Sequence, residues 1–347
     1  MTFPRLRKKR LQFRADECRT IDRLYLADDS LAVVSGNGVV IMSGVESGNL
    51  VTCHSQVFRH RPLKFSMSTS GRYLTVVCGT RNPPQCDLVE TWDATTGQRI
   101  ARMETPDSFK MSAEASILTV AEQELLLVSH TRSVLEAYDL RDMRRLLVCD
   151  FRKSSFIFTG FQPLNCGDMF LAFGHIFSEY QDSLVVFSFR DLVARQGEDI
   201  RVPKEPINEY SHRVAAGPAD SDSVIIFKDA DDQDEREEND DEDDMWWFRG
   251  FYTRRLTDGK LLGRIPYNAS CDTGAPLFSL PGMVVIGCRD RVEVLRHEGE
   301  RQEVVSIPAV ATAFDTIRNR FVVLSESGEM HLYYATPAAP SAATAAR

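Results

Sequence analysis

The stretch SGRYLTVVCGTRNPPQCDLVETWDATTGQR, residues 70–99, decides how this chain is read. It holds two apolar runs, residues 73–78 and 88–92, separated by a segment bearing Asn82, Pro83 and Pro84. Both runs favour the extended backbone, and both are bounded by turn-forming residues. The second run ends in Trp92-Asp93 and is followed by a Thr96-Gly97 turn signal. Strand, loop, strand, turn, strand is one unit of a small antiparallel sheet. Such a unit cannot cover both of its own faces, so its meaning depends on recurrence.

It recurs along the whole chain. Residues 31–34, 73–78, 125–128, 169–173, 224–227, 283–287 and 321–324 are strongly apolar runs at intervals close to a repeat of roughly 40–50 residues. Each reads as the second strand of a unit. Third strands are expected at 39–43, 88–92, 134–138, 184–189, 246–252, 291–295 and 330–334. Weaker first strands precede them at 23–26, 63–67, 116–121, 156–161, 212–216, 275–280 and 310–314. Many runs are apolar on consecutive residues, as expected of strands packed on both faces. A parallel α/β sheet would need amphipathic crossover helices of a dozen residues or more, and none is evident. The fold class read from this pattern is all-β.

This pattern resembles the WD40-type β-propeller over about residues 6–335. The resemblance rests on the Trp92-Asp93 dipeptide, with Tyr138-Asp139 and Phe189-Arg190 holding the corresponding place in the next two units. The family's Gly-His pair occurs once, as Gly174-His175, but after a second strand. The resemblance implies a seven-bladed, WD40-like propeller forming a single domain over residues 1–335, followed by a disordered small-residue tail at 336–347. The seventh unit lacks a fourth strand, while residues 7–14 form a strand-like piece without a unit. The N-terminal segment is therefore expected to close the last blade, with Leu11 and Phe13 facing inward. Its cluster Arg5, Arg7, Lys8, Lys9 and Arg10 also fits a nuclear localisation signal.

Charge is concentrated in one place. The chain carries a formal net charge of −9, yet residues 229–244, DADDQDEREENDDEDD, alone carry twelve acids and one arginine. The body is thus nearly neutral, and the acidic run is an insertion into the fifth unit. No apolar run reaches the ~18 residues of a membrane helix, and no leader peptide is apparent. The eight cysteines are dispersed, several of them in apolar strands such as those of Cys78, Cys149 and Cys288; buried free thiols in a reducing compartment are expected.

Catalytic patterns are sparse. Asp272-Thr273-Gly274 matches the aspartic-protease string without a second lobe to supply a partner carboxylate. The seven histidines lack metal-ligand spacing, and the acidic run lacks the glycine of a calcium loop. No catalytic, cofactor or metal residues are therefore assigned. Trp246 and Trp247 are read as filling gaps between blades, with a partner anchor as the other reading.

The function expected from the sequence is a non-enzymatic protein-interaction scaffold, cytoplasmic or nuclear. Its partners would be other proteins, including ones with basic segments; neither a membrane nor direct nucleic-acid contact is expected, and the oligomeric state is left open. One alternative is a binder or chaperone of basic proteins of the histone or ribosomal kind. Another is a propeller enzyme with a central-channel site. The candidate partner-binding residues are Asp231, Asp232, Asp234, Glu235, Glu237, Glu238, Asp240, Asp241, Glu242, Asp243 and Asp244, with Arg59, His60, Arg61 and Arg81 in loops assigned to the same face. Arg152 and Lys153 belong to that face as well. The acids could instead shield the ring's own basic loops.

Overall fold

The computed structural model describes residues 5–12, 21–36, 38–58, 62–79, 86–106, 113–120, 123–130, 133–154, 156–163, 168–176, 181–196, 214–216, 223–228, 250–255, 260–267, 275–280, 282–288, 290–298, 301–315 and 317–336. Strand β1 (Arg5–Leu11) comes first in the sequence and belongs to the last sheet. The first complete sheet is β2 (Arg23–Ala27), β3 (Ser30–Ser35), β4 (Gly38–Ser43) and β5 (Val51–Val57); the second is β6 (Pro62–Met67), β7 (Tyr73–Gly79), β8 (Cys86–Asp93) and β9 (Gln98–Pro106). The third comprises β10 (Glu114–Val120), β11 (Gln123–His130), β12 (Val134–Asp139) and β13 (Arg145–Asp150). The fourth holds β14 (Phe156–Pro163), β15 (Met169–Ile176) and β16 (Gln181–Ser188), followed by the short helix α1 (Phe189–Ala194).

The fifth sheet is β17 (Val214–Ala216), β18 (Ser223–Lys228), β19 (Gly250–Arg255) and β20 (Leu261–Pro266). The sixth is β21 (Ala275–Leu280), β22 (Met283–Gly287), β23 (Arg291–Glu298) and β24 (Arg301–Pro308). The seventh is β25 (Ala311–Asp315), β26 (Arg320–Leu324) and β27 (Met330–Thr336), with β1 as its outer strand. The described residues thus form seven sheets, each antiparallel and, β1 apart, in sequence order.

The consecutive apolar residues have a direct physical cause. In β3, Leu31 and Val33 enter a cluster shared with the seventh sheet, while Ala32 and Val34 enter one shared with the second. In β7, Leu74, Val76 and Cys78 face the first sheet, and Tyr73 and Val77 face the third. β11, β22 and β26 split in the same way between two neighbouring clusters. Successive strand residues point to opposite faces, so a strand sandwiched between two sheets is apolar at consecutive positions, with buried exceptions such as Thr75 hydrogen-bonded to Thr91.

The seventh sheet closes as the sequence implies. β1 pairs antiparallel with β27 from Arg5↔Thr336 to Leu11↔Met330. Leu11 is buried in the cluster shared with the first sheet, and Leu6 packs against the cluster shared with the sixth. Arg7, Lys8 and Arg10 stay exposed. Phe13 lies outside the described residues. β27 continues two residues beyond the expected end, to Thr336.

Beside this seam sits a buried cation. Arg320, 1% exposed, begins β26, and its Nε and Nη2 donate to Asp315 Oδ2 at 3.0 and 2.9 Å. The same guanidinium donates to the Glu46 carboxylate and to the Asp28 carbonyl, both in turns of the first sheet. Arg318 spans the same gap, 2.7 Å from Asp28 and 3.3 Å from Asp315. The last and first sheets are therefore joined by charge as well as by apolar packing.

The third strand of the fifth sheet, expected at 246–252, is described from Gly250 and runs to Arg255; Trp246 and Trp247 lie outside the described residues. Two expectations are corrected. The strand expected to reach Phe189 stops at Ser188, whose hydroxyl accepts from the Asp191 N–H and caps α1; Phe189 and Leu192 are the buried face of that helix. Among the cysteines, Cys78 and Cys149 are buried and free, but Cys53 is exposed on an outer strand, and Cys288 is disulfide-bonded.

Arg320→Ala leaves the buried Asp315 with only the half-exposed Arg318. It is expected to cost roughly 3 kcal/mol in urea unfolding, because an uncompensated buried charge remains. Replacing Arg320 and Asp315 together by leucine should cost less than Arg320→Ala alone; an equal or larger loss would mean the seam depends on something other than charge pairing.

Candidate functional site

In an antiparallel sheet numbered outward a, b, c, d, strand a begins, b ends, c begins and d ends at the same edge. This linker face carries the connections between sheets and the b–c loops; the opposite turn face carries the a–b and c–d turns. The candidate residues distribute accordingly. Arg59, His60 and Arg61 fall between β5 and β6, Arg81 between β7 and β8, and residues 229–244 between β18 and β19. The strand ends bracketing all of them belong to the linker face. The residues themselves lie outside the described structure, so no contact among them is assigned.

Arg152 and Lys153 are described, in the single 3₁₀ turn Arg152–Ser154 between β13 and β14. Both are exposed. Arg152 Nε donates to Asp150 Oδ2 at 2.8 Å. That bond holds the Asp150 carboxyl below the usual range and raises the Arg152 guanidinium. Arg152 is thus already matched by a carboxylate of its own sheet.

A second convergence is one the sequence reading missed. The inner strands line a cavity of about 600 Å³ whose wall includes Arg23, Tyr25, Lys64, Phe65, Glu114 and Phe314. Lys64 is ion-paired with the buried Glu114 of the next sheet. Below that pair, Ser66 and Ser116 hydroxyls lie 3.3 Å apart, and the Ile117 N–H donates to Ser66 Oγ at 3.0 Å. Arg23 Nη1 donates to the Leu63 carbonyl at 3.1 Å. Burial pushes the Tyr25 phenol up, against the opposing pull of Arg23.

The described lining therefore carries one carboxylate, paired with an ammonium. Among the described residues no group of three His, Cys, Asp or Glu could hold a metal. The signal available in sequence was a charged residue near the start of an otherwise apolar first strand, in RLYLA, PLKFSM and EASILTV.

The Trp92-Asp93 pair serves the turn face. Trp92 packs edge-on against Phe58 at 6.1 Å, beneath the Arg99 guanidinium. Asp93 Oδ1 accepts from the Thr95 and Thr96 N–H groups at 2.9 and 3.0 Å, and Oδ2 accepts from Arg72 Nε at 3.1 Å. Burial pushes this carboxyl up, but the Thr95 hydroxyl, the Thr96 N–H and Arg72 outweigh it and hold Asp93 below the usual carboxylate range. Gly97, at φ +70°, completes the turn against the His54 ring, where a Cβ would collide.

Asp139 plays the same part in the third sheet, accepting from the Arg141 N–H at 2.9 Å. Phe189-Arg190 does not. There Asp168, just ahead of β15, accepts from Ser188 Oγ at 2.7 Å and from the Arg190 N–H at 2.8 Å. Asp29 does likewise in the first sheet, accepting from the Gly44 and Glu46 N–H groups.

No family model matches the chain, and no curated protein sequence matches it. Solved structures do. The WD40 repeats of RRP9 superpose with a TM-score of 0.55 at 10% identity, covering 94% of this chain and 97% of that one. A chain of a mitotic checkpoint complex gives 0.56 at 10% identity over 92% and 91%. A chain of hydrazine synthase from Kuenenia stuttgartiensis gives 0.58 at 13% identity over 92% and 96%. The fold is a WD40-like β-propeller. Likeness at these identities speaks to the fold alone, and its sheets can now be called blades. No helix among the described residues is long and apolar enough to cross a membrane.

The Asp93 carboxyl is lowered on folding, so it stabilises the blade above the unfolded pKa and loses that contribution as pH falls through the folded value. Asp93→Asn is expected to lower stability at pH 7 by about 1–2 kcal/mol. Its melting temperature should also fall less steeply than the wild type's below about pH 4. Parallel wild-type and variant profiles in differential scanning calorimetry would remove Asp93 from the acid response.

Proposed function

We propose that this protein is a non-enzymatic interaction scaffold that captures basic segments of partner proteins on its linker face, using the acidic insertion 229–244 as the capture element. The observation that carries this reading is the hairpin from which the insertion hangs. β18 and β19 pair without interruption from Ser223↔Arg255 to Lys228↔Gly250, and β19 pairs in turn with β20. The strand ends on either side of the insertion already pair with each other, at Lys228↔Gly250. A run of twelve acids is inserted between those two paired ends, in a chain whose remainder is nearly neutral.

The charge distribution supports capture. The body of the chain is nearly neutral while the insertion carries a net charge of −11. A local field of that kind steers oppositely charged segments toward one face and raises their association rate. Self-shielding is the less favoured reading, because Arg152, a cation of the same face, already has Asp150 as its partner. The channel supports binding over acid–base chemistry, since Glu114 is engaged by Lys64. The reading carries with it a cytoplasmic or nuclear location and a chaperone-like role toward basic proteins as a special case.

Replacing residues 229–244 by a Gly/Ser linker of equal length is the direct test. Fluorescence anisotropy with a Lys/Arg-rich peptide should show a loss of about ten-fold or more in affinity. Binding to the wild type should weaken steeply as salt rises. Unchanged or tighter binding in the linker variant would sink capture and favour shielding.

A further inference from the structure

The closing strand β1 presents a second concentration of charge, opposite in sign to the insertion and far from it in sequence. Its sequence is RLRKKRL, five cations in seven residues. Within its sheet β1 is the outermost strand and pairs only with β27 among the described residues. From Arg5 to Leu11 its far edge has no strand partner among the described residues; just beyond, Gln12 bridges Asn49, its N–H donating to the Gly48 carbonyl at 2.8 Å and its carbonyl accepting from the Leu50 N–H at 2.9 Å. An edge of this kind is a template for strand addition, which charged side chains normally deter.

Protection alone does not account for the number of charges. The outer strands β5, β13 and β20, VTCHSQV, RLLVCD and LLGRIP, carry at most one arginine each. β9 has two arginines, Arg99 paired with Glu90 and Arg102 with Glu104; β24 has one, and its Glu303 pairs with Arg296 of β23. In β1, Arg10 is paired with Glu329 at 3.0 Å. Lys9 donates to the Glu46 carbonyl, and Lys8 lies over the Tyr333 ring at 5.9 Å. Among the described residues, neither Arg7, Lys8 nor Lys9 has a carboxylate partner. The field is felt inside the blade: burial, then Lys8 and Arg10, hold the His331 imidazole below its ordinary pKa despite Glu329.

The strand is also held rigidly. Leu6 packs toward the sixth blade and Leu11 toward the first, so odd and even positions are fixed on opposite faces. Arg7 and Lys9 then lie on one face, and Lys8 and Arg10 on the other.

We infer that the outer edge of β1 is a docking site for an extended acidic segment of a partner protein, which adds to the seventh blade as a further strand. Backbone hydrogen bonds along the open edge would supply binding. Carboxylates opposite Arg7 and Lys9 on one face, and opposite Lys8 on the other, would supply choice of partner, since opposite charges across a strand pair attract and like charges repel. A segment with acids at successive positions fits, because both faces of β1 are cationic. A nucleic acid would meet the charges but could not continue the ladder.

The test uses the full-length protein and a fluorescein-labelled peptide of about ten residues, the length of an ordinary strand, rich in glutamate with interspersed valine and threonine. A second peptide of the same charge, with proline at alternate positions, cannot donate to a ladder. Anisotropy should show the first peptide binding about ten-fold or more tightly than the second. Arg7→Glu with Lys8→Glu should abolish that binding, while Arg7→Gln with Lys8→Gln should weaken it with an unchanged circular-dichroism spectrum. Equal binding of the two peptides would reduce the edge to an ion exchanger and overturn the inference. So would no binding by the wild type, or tighter binding of a single-stranded oligonucleotide of matched charge.

Discussion

Arg320 is the interaction on which the closed form of this molecule most depends. A ring of sheets assembled from one chain has a place where its first-made and last-made parts must meet without a covalent link. Here that place is occupied by a guanidinium almost wholly out of water, engaging a carboxylate of its own blade and a carboxylate and a carbonyl of the next. The donors come from all three nitrogens of the planar guanidinium, so a lysine, with its single nitrogen, could not reach the same positions. The apolar clusters that join the other neighbours are non-directional. The Arg320 contacts are directional, and they set how the first blade is turned against the seventh.

The parts of the fold legible in the sequence are those with the most severe solvent requirement. Second strands such as β3 and β26 are buried on both faces, and so Leu31–Val34 and Phe321–Leu324 are apolar without a break. First strands are harder to find, because one edge borders the channel and tolerates Arg23, Lys64 and Glu114. Outer strands are hardest: β5 is exposed or half-exposed throughout and carries no apolar period. The misplacement at Phe189 has a specific origin. Ser188 and Asp191 are spaced as a helix cap, but the apolar residues around them read as the end of a strand.

The turn carboxylates explain why a single Trp-Asp pair was visible where several equivalent sites exist. Asp93 and Asp139 end third strands, whereas Asp29 and Asp168 stand ahead of second strands, yet all four accept from backbone N–H groups of the turn after a third strand. The physical role recurs in space and not at one position of the repeat. The Lys64–Glu114 pair was illegible for a related reason: the partners are fifty residues apart and meet only because neighbouring blades stack. The acidic insertion was legible as composition alone.

The pairing of β1 with β27 also has a temporal side. During synthesis β1 leaves the ribosome well before its partner, which follows more than three hundred residues later. At ordinary elongation rates that delay is on the order of tens of seconds. Through that interval a cationic strand with two leucines has no ladder to join, and the seventh blade cannot exist. The early blades must persist as an open arc whose two end faces are unburied. Completion of the seventh blade is therefore a late event of very high contact order.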